Sequence, residues 1–325
     1  MNNITVNELP KPKNEIGWPW TVENSLVNPT QTPNGQSWPR ISIVTPSYNQ
    51  AQYIEATIRS VLLQGYPNLE FFIMDGGSTD GSVEIIRRYD PWITKWVSEP
   101  DRGQTHAINK GLSQGSGEIF TWLNSDDILV PNSLFHVAEM YRQNPNAVGW
   151  VGGCYLISPE GVLLTTELPR GLTQAELADW YHTGYIFQPS CFFSANAYRK
   201  IGGLDESLNY SMDFDLWIRL ANEGDYVATD EFLSAAVIHD EAKTQARRAD
   251  MFAETIAMQI KYGFDEQAAM LINRLMTPPP FSKQLERAVR SRLSPVKQKL
   301  PFLKKEKLPL FTPMAIQTTE EDENL

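Results

Sequence analysis

The residues with the most chemistry in them are two sets of carboxylates. Asp126 and Asp127 close the run Phe120-Thr-Trp-Leu-Asn-Ser-Asp-Asp127, and Asp213 stands in Met212-Asp-Phe-Asp-Leu-Trp217. Adjacent acids after an apolar, strand-like run lose hydration and need compensation. A hard divalent cation would supply it: Mg²⁺ or Mn²⁺ takes one or two carboxylates and completes its shell with water and substrate phosphates. The competing reading makes the pair a turn and a cap for a helix beginning near Pro131. Asp213 and Asp215 lie two residues apart and diverge on a helix, so they cannot serve one atom. Asp215 pairs with Arg219 at i,i+4, which leaves Asp213 as a helix N-cap or as a group for other work.

These acids need a scaffold, and the pattern predicts an α/β one. Ile41–Thr45 is a β-branched run, followed by Pro46-Ser-Tyr-Asn49 and a helical pattern through Tyr53, Ile54, Ile58, Val61 and Leu62. The unit repeats with a strand from Leu69 to Met74, a turn at Asp75-Gly-Gly-Ser-Thr-Asp-Gly81 and a helix from Val83 to Tyr89. A third strand is expected at Trp92–Val97, a helix at Gln104–Leu112 and a fourth strand at Glu118–Leu123. Strands alternating with helices imply a mostly parallel sheet, whose ligands bind beyond the carboxyl ends of the strands. The loop after the first strand has no glycine, so the dinucleotide fingerprint is missing. Beyond residue 146 the pattern turns mixed: a hairpin around Ser158-Pro-Glu-Gly161, an extended segment from Gly184 to Ser194, a helix in the later part of Tyr210–Leu220 and a strand within Tyr226–His239.

Composition excludes several classes. The 325 residues are 42% hydrophobic and 11% aromatic, enough for a large core, and a formal charge of −11 argues against nucleic acid as a partner. Cys154 and Cys191 show neither disulfide nor thiolate-metal spacing. Neither a secretory signal nor an apolar run of membrane-spanning length is apparent, so the expectation is a soluble, cytoplasmic protein.

Taken together, Ile41-Ser-Ile-Val-Thr-Pro-Ser-Tyr-Asn49, the Asp75–Gly81 loop, Ser98-Glu-Pro-Asp-Arg-Gly103, Asn109-Lys-Gly111, Trp122-Leu-Asn-Ser-Asp-Asp127 and Met212-Asp-Phe-Asp-Leu-Trp217 resemble, in order and spacing, the signature blocks of family 2 glycosyltransferases with a GT-A fold. The resemblance spans residues 40 to 245. It implies an inverting transfer of a sugar from a UDP-, dTDP- or GDP-linked donor to a hydroxyl of a glycan or lipid-linked acceptor, in polysaccharide or glycoconjugate assembly. Asp126 matches the metal-binding acid, the last position of the DXD motif, with Asn124 in place of its first Asp and Asp127 as an adjacent support. Asp213 matches the catalytic base, with Met212 where the family carries Glu. Thr45, Pro46, Tyr48 and Asp75 fall at the nucleoside, where Gly76 replaces a frequent second acid, and Asp101, Arg102, Asn109 and Lys110 fall beside the sugar and diphosphate. His239 resembles a late His that reaches the metal or diphosphate. The cofactor implied is Mn²⁺ or Mg²⁺.

The domain expectation is an arm over 1–39, a GT-A unit over 40–245 (nucleotide-sugar half 40–127, acceptor half 128–245), a helical extension over 246–280 and a tail over 281–325. Lys283 to Lys307 carries nine Lys or Arg against Glu286 and Glu306, interleaved with apolar residues, while Glu320–Glu323 is acidic. Such a run either holds the enzyme peripherally at the inner face of a membrane or is a solvated tail. Two other classes compete with this reading: a non-catalytic nucleotide-sugar-binding or scaffold protein, with Asn124 and Met212 as signs of decay, and a nucleotidyltransferase, which would need a glycine-rich phosphate loop after the first strand.

Overall fold

The β-branched run that starts at Ile41 lies at the centre of the molecule. Strand β1 (Ile41–Ser47) is buried along its whole length and pairs in parallel with β2 (Leu69–Asp75) on one side and β4 (Ile119–Trp122) on the other. The computed structural model describes residues 4–12, 15–22, 30–179, 182–239 and 248–276. Helices α1 (Ile54–Leu62), α2 (Ser82–Arg88) and α3 (Gln104–Leu112) connect the parallel strands, with β3 (Lys95–Ser98) alongside β2. In register, Ser47 faces Asp75 and Asp75 faces Ser98, so three strands end level and their loops gather at one edge.

After β4 come β5 (Asp127–Leu129), α4 (Ser133–Gln143), β6 (Gly149–Ile157), β7 (Leu163–Glu167), α5 (Gln174–Ala178), β8 (Cys191–Ser194), α6 (Ala195–Lys200), α7 (Met212–Ala221) and β9 (Tyr226–Val237). All join one sheet of order β3-β2-β1-β4-β8-β6-β9-β5, with β7 on β6. The antiparallel pair β4–β8 marks where the parallel half gives way to the mixed one, within which β6 and β9 are again parallel. The extension supplies α8 (Arg248–Lys261) and α9 (Asp265–Met276). None of the described helices is long and apolar enough to cross a membrane.

Alternation along the strands divides the core between the two faces of the sheet, because successive side chains point to opposite sides. Ile41 and Ile43 belong to one cluster with Trp18 and α1, while Val44, Phe72 and Met74 belong to another with α3 and α7. Gly111 is what lets α3 come close: a Cβ there would lie 2.6 Å from both methyl groups of Val44. The amino-terminal arm is held by a buried cation, as Arg59 donates to the carbonyls of Pro10 (2.8 Å), Pro19 (3.0 Å) and Trp20 (3.1 Å). The Trp18 indole N–H reaches Leu129 O at 2.8 Å, tying the arm to β5.

Three boundaries differ from expectation, each for a local reason. Asp90–Trp92 is a 3-10 turn opened by Pro91, so β3 starts at Lys95 rather than Trp92. Gln188–Ser190 is another such turn, at Pro189, which leaves only Cys191–Ser194 of that segment as strand. The acid pair does not close β4. That strand ends at Trp122, the chain turns, and Asp127 opens β5 with its N–H on Asn124 O at 3.0 Å.

Candidate active site

A cleft of about 1100 Å³ opens at the loop edge of the sheet, and side chains from both halves of the chain line it. From the parallel half come Pro46, Tyr48, Gly76, Asp101, Asn124, Asp126 and Asp127; from the mixed half come Asp213, His239 and an apolar wall that includes Leu156, Leu177, Tyr185 and Phe187. Four of these residues are carboxylates. No Lys or Arg is among the described residues that line it.

The acid loop is positioned from beneath by α1. The Thr57 hydroxyl sits 2.9 Å from Ser125 O and 2.7 Å from Asp127 O, and Ser60 Oγ accepts from Leu129 N at 3.1 Å. Asp127 is buried, and its carboxyl is pushed well above the usual carboxylate range by that burial and then by the negative charge of Asp126 beside it. Asn124 Nδ2 donates to Asp127 Oδ2 at 3.2 Å and to Gln188 Oε1 at 3.0 Å, while Asn124 Oδ1 accepts from Gln104 Nε2 at 2.8 Å. The Asn at this position therefore orients the neighbouring acid.

His239 follows the end of β9 and turns back onto the same loop. Its Nε2 lies 3.1 Å from Asp126 Oδ2, and its ring stacks on Tyr53 at 4.9 Å between centroids and 29° between planes. Its Nδ1 is buried and has no hydrogen-bond partner among the described residues. The residues present fit a divalent cation: an imidazole and a carboxylate converge, and a second carboxyl is held in a setting that disfavours its charge. No cluster of three or more His, Cys, Asp or Glu with metal-binding geometry occurs among the described residues, so Asp126 and His239 are the two groups at hand.

On the opposite side, Asp213 sits in the first turn of α7. Its Oδ1 accepts from Phe214 N at 2.8 Å, and the cap position belongs to Ser211, so Asp213 is not the N-cap. Asp215 points away: Arg219 Nε donates to it at 2.7 Å and the Tyr262 hydroxyl at 2.6 Å, as the i,i+4 spacing led us to expect for the arginine. The Met212 side chain is buried, with Thr105 Oγ1 donating to its sulfur at 2.7 Å.

The other sequence candidates fall outside the cleft lining. Thr45 is buried within β1. Asp75 is buried too, and its oxygens are taken up by its own loop and the end of β3, accepting from Gly77 N (3.1 Å), Ser78 N (2.9 Å), Ser78 Oγ (2.5 Å) and Ser98 Oγ (2.6 Å). Arg102 pairs with Glu206 at 2.6 Å and Lys110 with Glu99. Asn109 binds the backbone of Leu204 through both amide atoms, at 2.9 and 3.0 Å. Gly76 does border the cleft, and a Cβ on it would lie 2.9 Å from Asp101 Oδ2 and 3.3 Å from the Tyr48 ring. The sequence reading missed Gln104, Gln188 and Tyr53, each a single residue with no neighbour in sequence to mark it.

A family model described as glycosyl transferase family 2 matches residues 42–202, which contain both flanks of the acid loop. An uncharacterized glycosyltransferase of Rickettsia typhi is 30% identical over 217 residues, covering 63% of this chain and 66% of that protein. Another, from Mycobacterium tuberculosis H37Rv, is 28% identical over 189 residues, covering 57% of this chain and 70% of that one. The chain spans 66% and 64% of the length of the Rickettsia typhi and Rickettsia prowazekii relatives it matches. Among solved structures, S. aureus TarS in complex with UDP-GlcNAc superposes with a TM-score of 0.56 at 15% identity, over 72% of each chain. The mannosyltransferase PcManGT of Pyrobaculum calidifontis, in complex with GDP-Man and Mn²⁺, superposes with a TM-score of 0.53 at 16% identity, over 80% of this chain and 83% of that one. The structural likeness shows a GT-A type α/β fold, and the family model's match across β1 to α6, together with the glycosyltransferase relatives, supports the assignment of this chain to glycosyl transferase family 2.

Proposed function

We propose that this chain is an inverting glycosyltransferase that moves a sugar from a nucleoside-diphosphate donor to an acceptor hydroxyl. The observation that carries the reading is the composition of the cleft: Asp126 with His239 on one side, Asp213 on the other, and no Lys or Arg among the described lining residues. Like charges within a cleft repel, so carboxylates alone would turn a diphosphate away. Asp126 and His239 would hold Mn²⁺ or Mg²⁺, which when bound supplies the positive charge for the departing nucleoside diphosphate.

Asp213 takes the proton of the acceptor hydroxyl as its oxygen bonds to the anomeric carbon. The bond from that carbon to the diphosphate oxygen breaks, and the nucleoside diphosphate leaves with the electron pair. Attack from the face opposite the leaving group inverts the anomeric centre. Tyr48, 63% exposed at the mouth of the cleft, and Pro46 offer a surface for the base, with the Asp101 carboxylate beside them. Asp75 shapes that wall indirectly, by holding the Gly77–Ser78 turn. Arg102, Asn109 and Lys110 lie outside the lining, held by ion pairs with Glu206 and Glu99 and by the bonds of Asn109 to the Leu204 backbone. The apolar wall of Leu156, Leu177, Tyr185 and Phe187 suits the carbon face of an acceptor sugar.

A role in polysaccharide or glycoconjugate assembly, on a glycan or lipid-linked acceptor at the cytoplasmic face of a membrane, is part of this reading. It rests on the family resemblance and on the basic run 283–307, which lies outside the described residues. The test is a panel of UDP-, dTDP- and GDP-sugars, scored by thermal stabilisation and donor hydrolysis with and without Mn²⁺. At least one donor should raise the Tm in Mn²⁺ and be hydrolysed. If no donor shifts the Tm under either condition, the transferase reading fails.

A further inference from the structure

Helix α8 lies outside the segment matched by the family model, yet one stripe of it grips the chain that carries Asp213. Residues 251, 254, 255, 258, 259 and 262 recur at helical spacing and form one face. Glu254 is the polar centre of that face. Its carboxylate accepts the backbone N–H groups of three consecutive residues: Asn209 at 3.0 Å, Tyr210 at 2.7 Å and Ser211 at 3.1 Å. Ser211 Oγ lies 2.9 Å from Thr255 Oγ1, and Met258 is buried in the cluster beneath. Below them Gln259 Nε2 donates to Ala178 O at 2.6 Å, and the Tyr262 hydroxyl reaches Asp215 at 2.6 Å.

Asn209, Tyr210 and Ser211 line the cleft together with Asp213, and they set the direction in which α7 begins. No side-chain cap from Ser211 satisfies the start of that helix. Three backbone N–H groups without a partner are strong donors, and a carboxylate two residues further along the chain is a ready acceptor for them. Glu254 occupies them instead, through charge-assisted bonds that are stronger and shorter than neutral ones.

We propose that Glu254 is a positioning residue for the transfer reaction: from outside the nucleotide-binding half, it fixes residues 209–211 so that the Asp213 carboxylate stays turned into the cleft. The inference rests on the reading of Asp213 as the base. Met212 provides no charge at the position beside that base, so the carboxylate that organises this turn arrives from α8.

The test uses the full chain with Glu254→Gln, which keeps the shape and one acceptor oxygen, and Glu254→Ala, which removes both. With the donor found active on the wild type, kcat for transfer should fall about tenfold in Glu254→Gln and further in Glu254→Ala, with donor KM within about twofold of wild type. The acid limb of the kcat–pH profile should also move, since the surroundings of the base have changed. If Glu254→Gln lowers the Tm but leaves kcat and the pH profile as in the wild type, measured well below its Tm, Glu254 only braces the fold and the inference is overturned. A wild-type chain that turns over no donor refutes the transferase reading itself, a different outcome from unaltered kinetics in an active variant. Should Glu254→Ala fail to fold, Glu254→Gln alone decides the matter.

Discussion

Carboxylates stand at both ends of the parallel strands and live under opposite conditions. At the amino ends, Glu70 on β2 accepts from Ser42 Oγ at 2.6 Å and from Ser116 N and Oγ at 2.7 Å each. Burial works against its charge, but these donors, with Arg40 nearby, hold its carboxyl below the usual range. At the carboxyl ends, Asp127 is pushed the other way by burial and by Asp126. Asp75 shows that position alone is not the cause, because it lies at the same end as Asp127 and four donors meet its oxygens. A satisfied carboxylate is part of the scaffold, whereas a crowded one faces a cleft from which a ligand's charge can complete it.

The comparison can be broken most severely at the acid assigned to chemistry. Asp213→Asn should lower kcat for transfer by about 10²- to 10⁴-fold while donor affinity, read by calorimetry, stays within a factor of about two. A proportional loss of donor binding would show that Asp213 shapes the donor pocket instead.

Next in size is Asp126→Asn. It should weaken Mn²⁺-dependent donor binding by at least about tenfold with little change in Tm, because the crowded pair contributes little to stability. An unchanged Mn²⁺ dependence would remove this loop from the metal site.

The smallest effect belongs to the satisfied end. Glu70→Gln should cost about 1 kcal/mol or less in thermal or urea unfolding and leave transfer untouched. The Glu70 carboxyl is held low in the folded state, so its contribution is present above the ordinary carboxylate range and is lost as pH falls through the depressed value. Wild type and variant should therefore converge in stability in acid and separate toward neutrality. A gap that stays constant with pH would mean that packing, not charge, sets the difference.

The parallel half was legible in the sequence because its signals are local. The β-branched run at Ile41, the helical spacing from Ile54 to Leu62 and the Gly-rich turn after Asp75 each report on the backbone that contains them. The α/β fold and the GT-A resemblance followed from such stretches, and so did the choice of Asp126, Asp213 and His239, which the cleft brings together. The exact strand ends at Lys95 and Cys191 were not legible, because Pro91 and Pro189 each support a turn as readily as the start of a strand.

Tertiary structure alone decided which candidates face the cleft. Motif membership cannot separate Asp75, turned inward to four donors, from Asp101, turned outward, since both follow strands and precede turns. Nor can it show that Arg102 and Lys110 are already committed to Glu206 and Glu99. Gln188 on Asn124 and Glu254 on the start of α7 are contacts between residues far apart in the chain. Spacing along a chain encodes periodicity within one element, and the partners of a side chain that crosses between elements are fixed only when those elements pack.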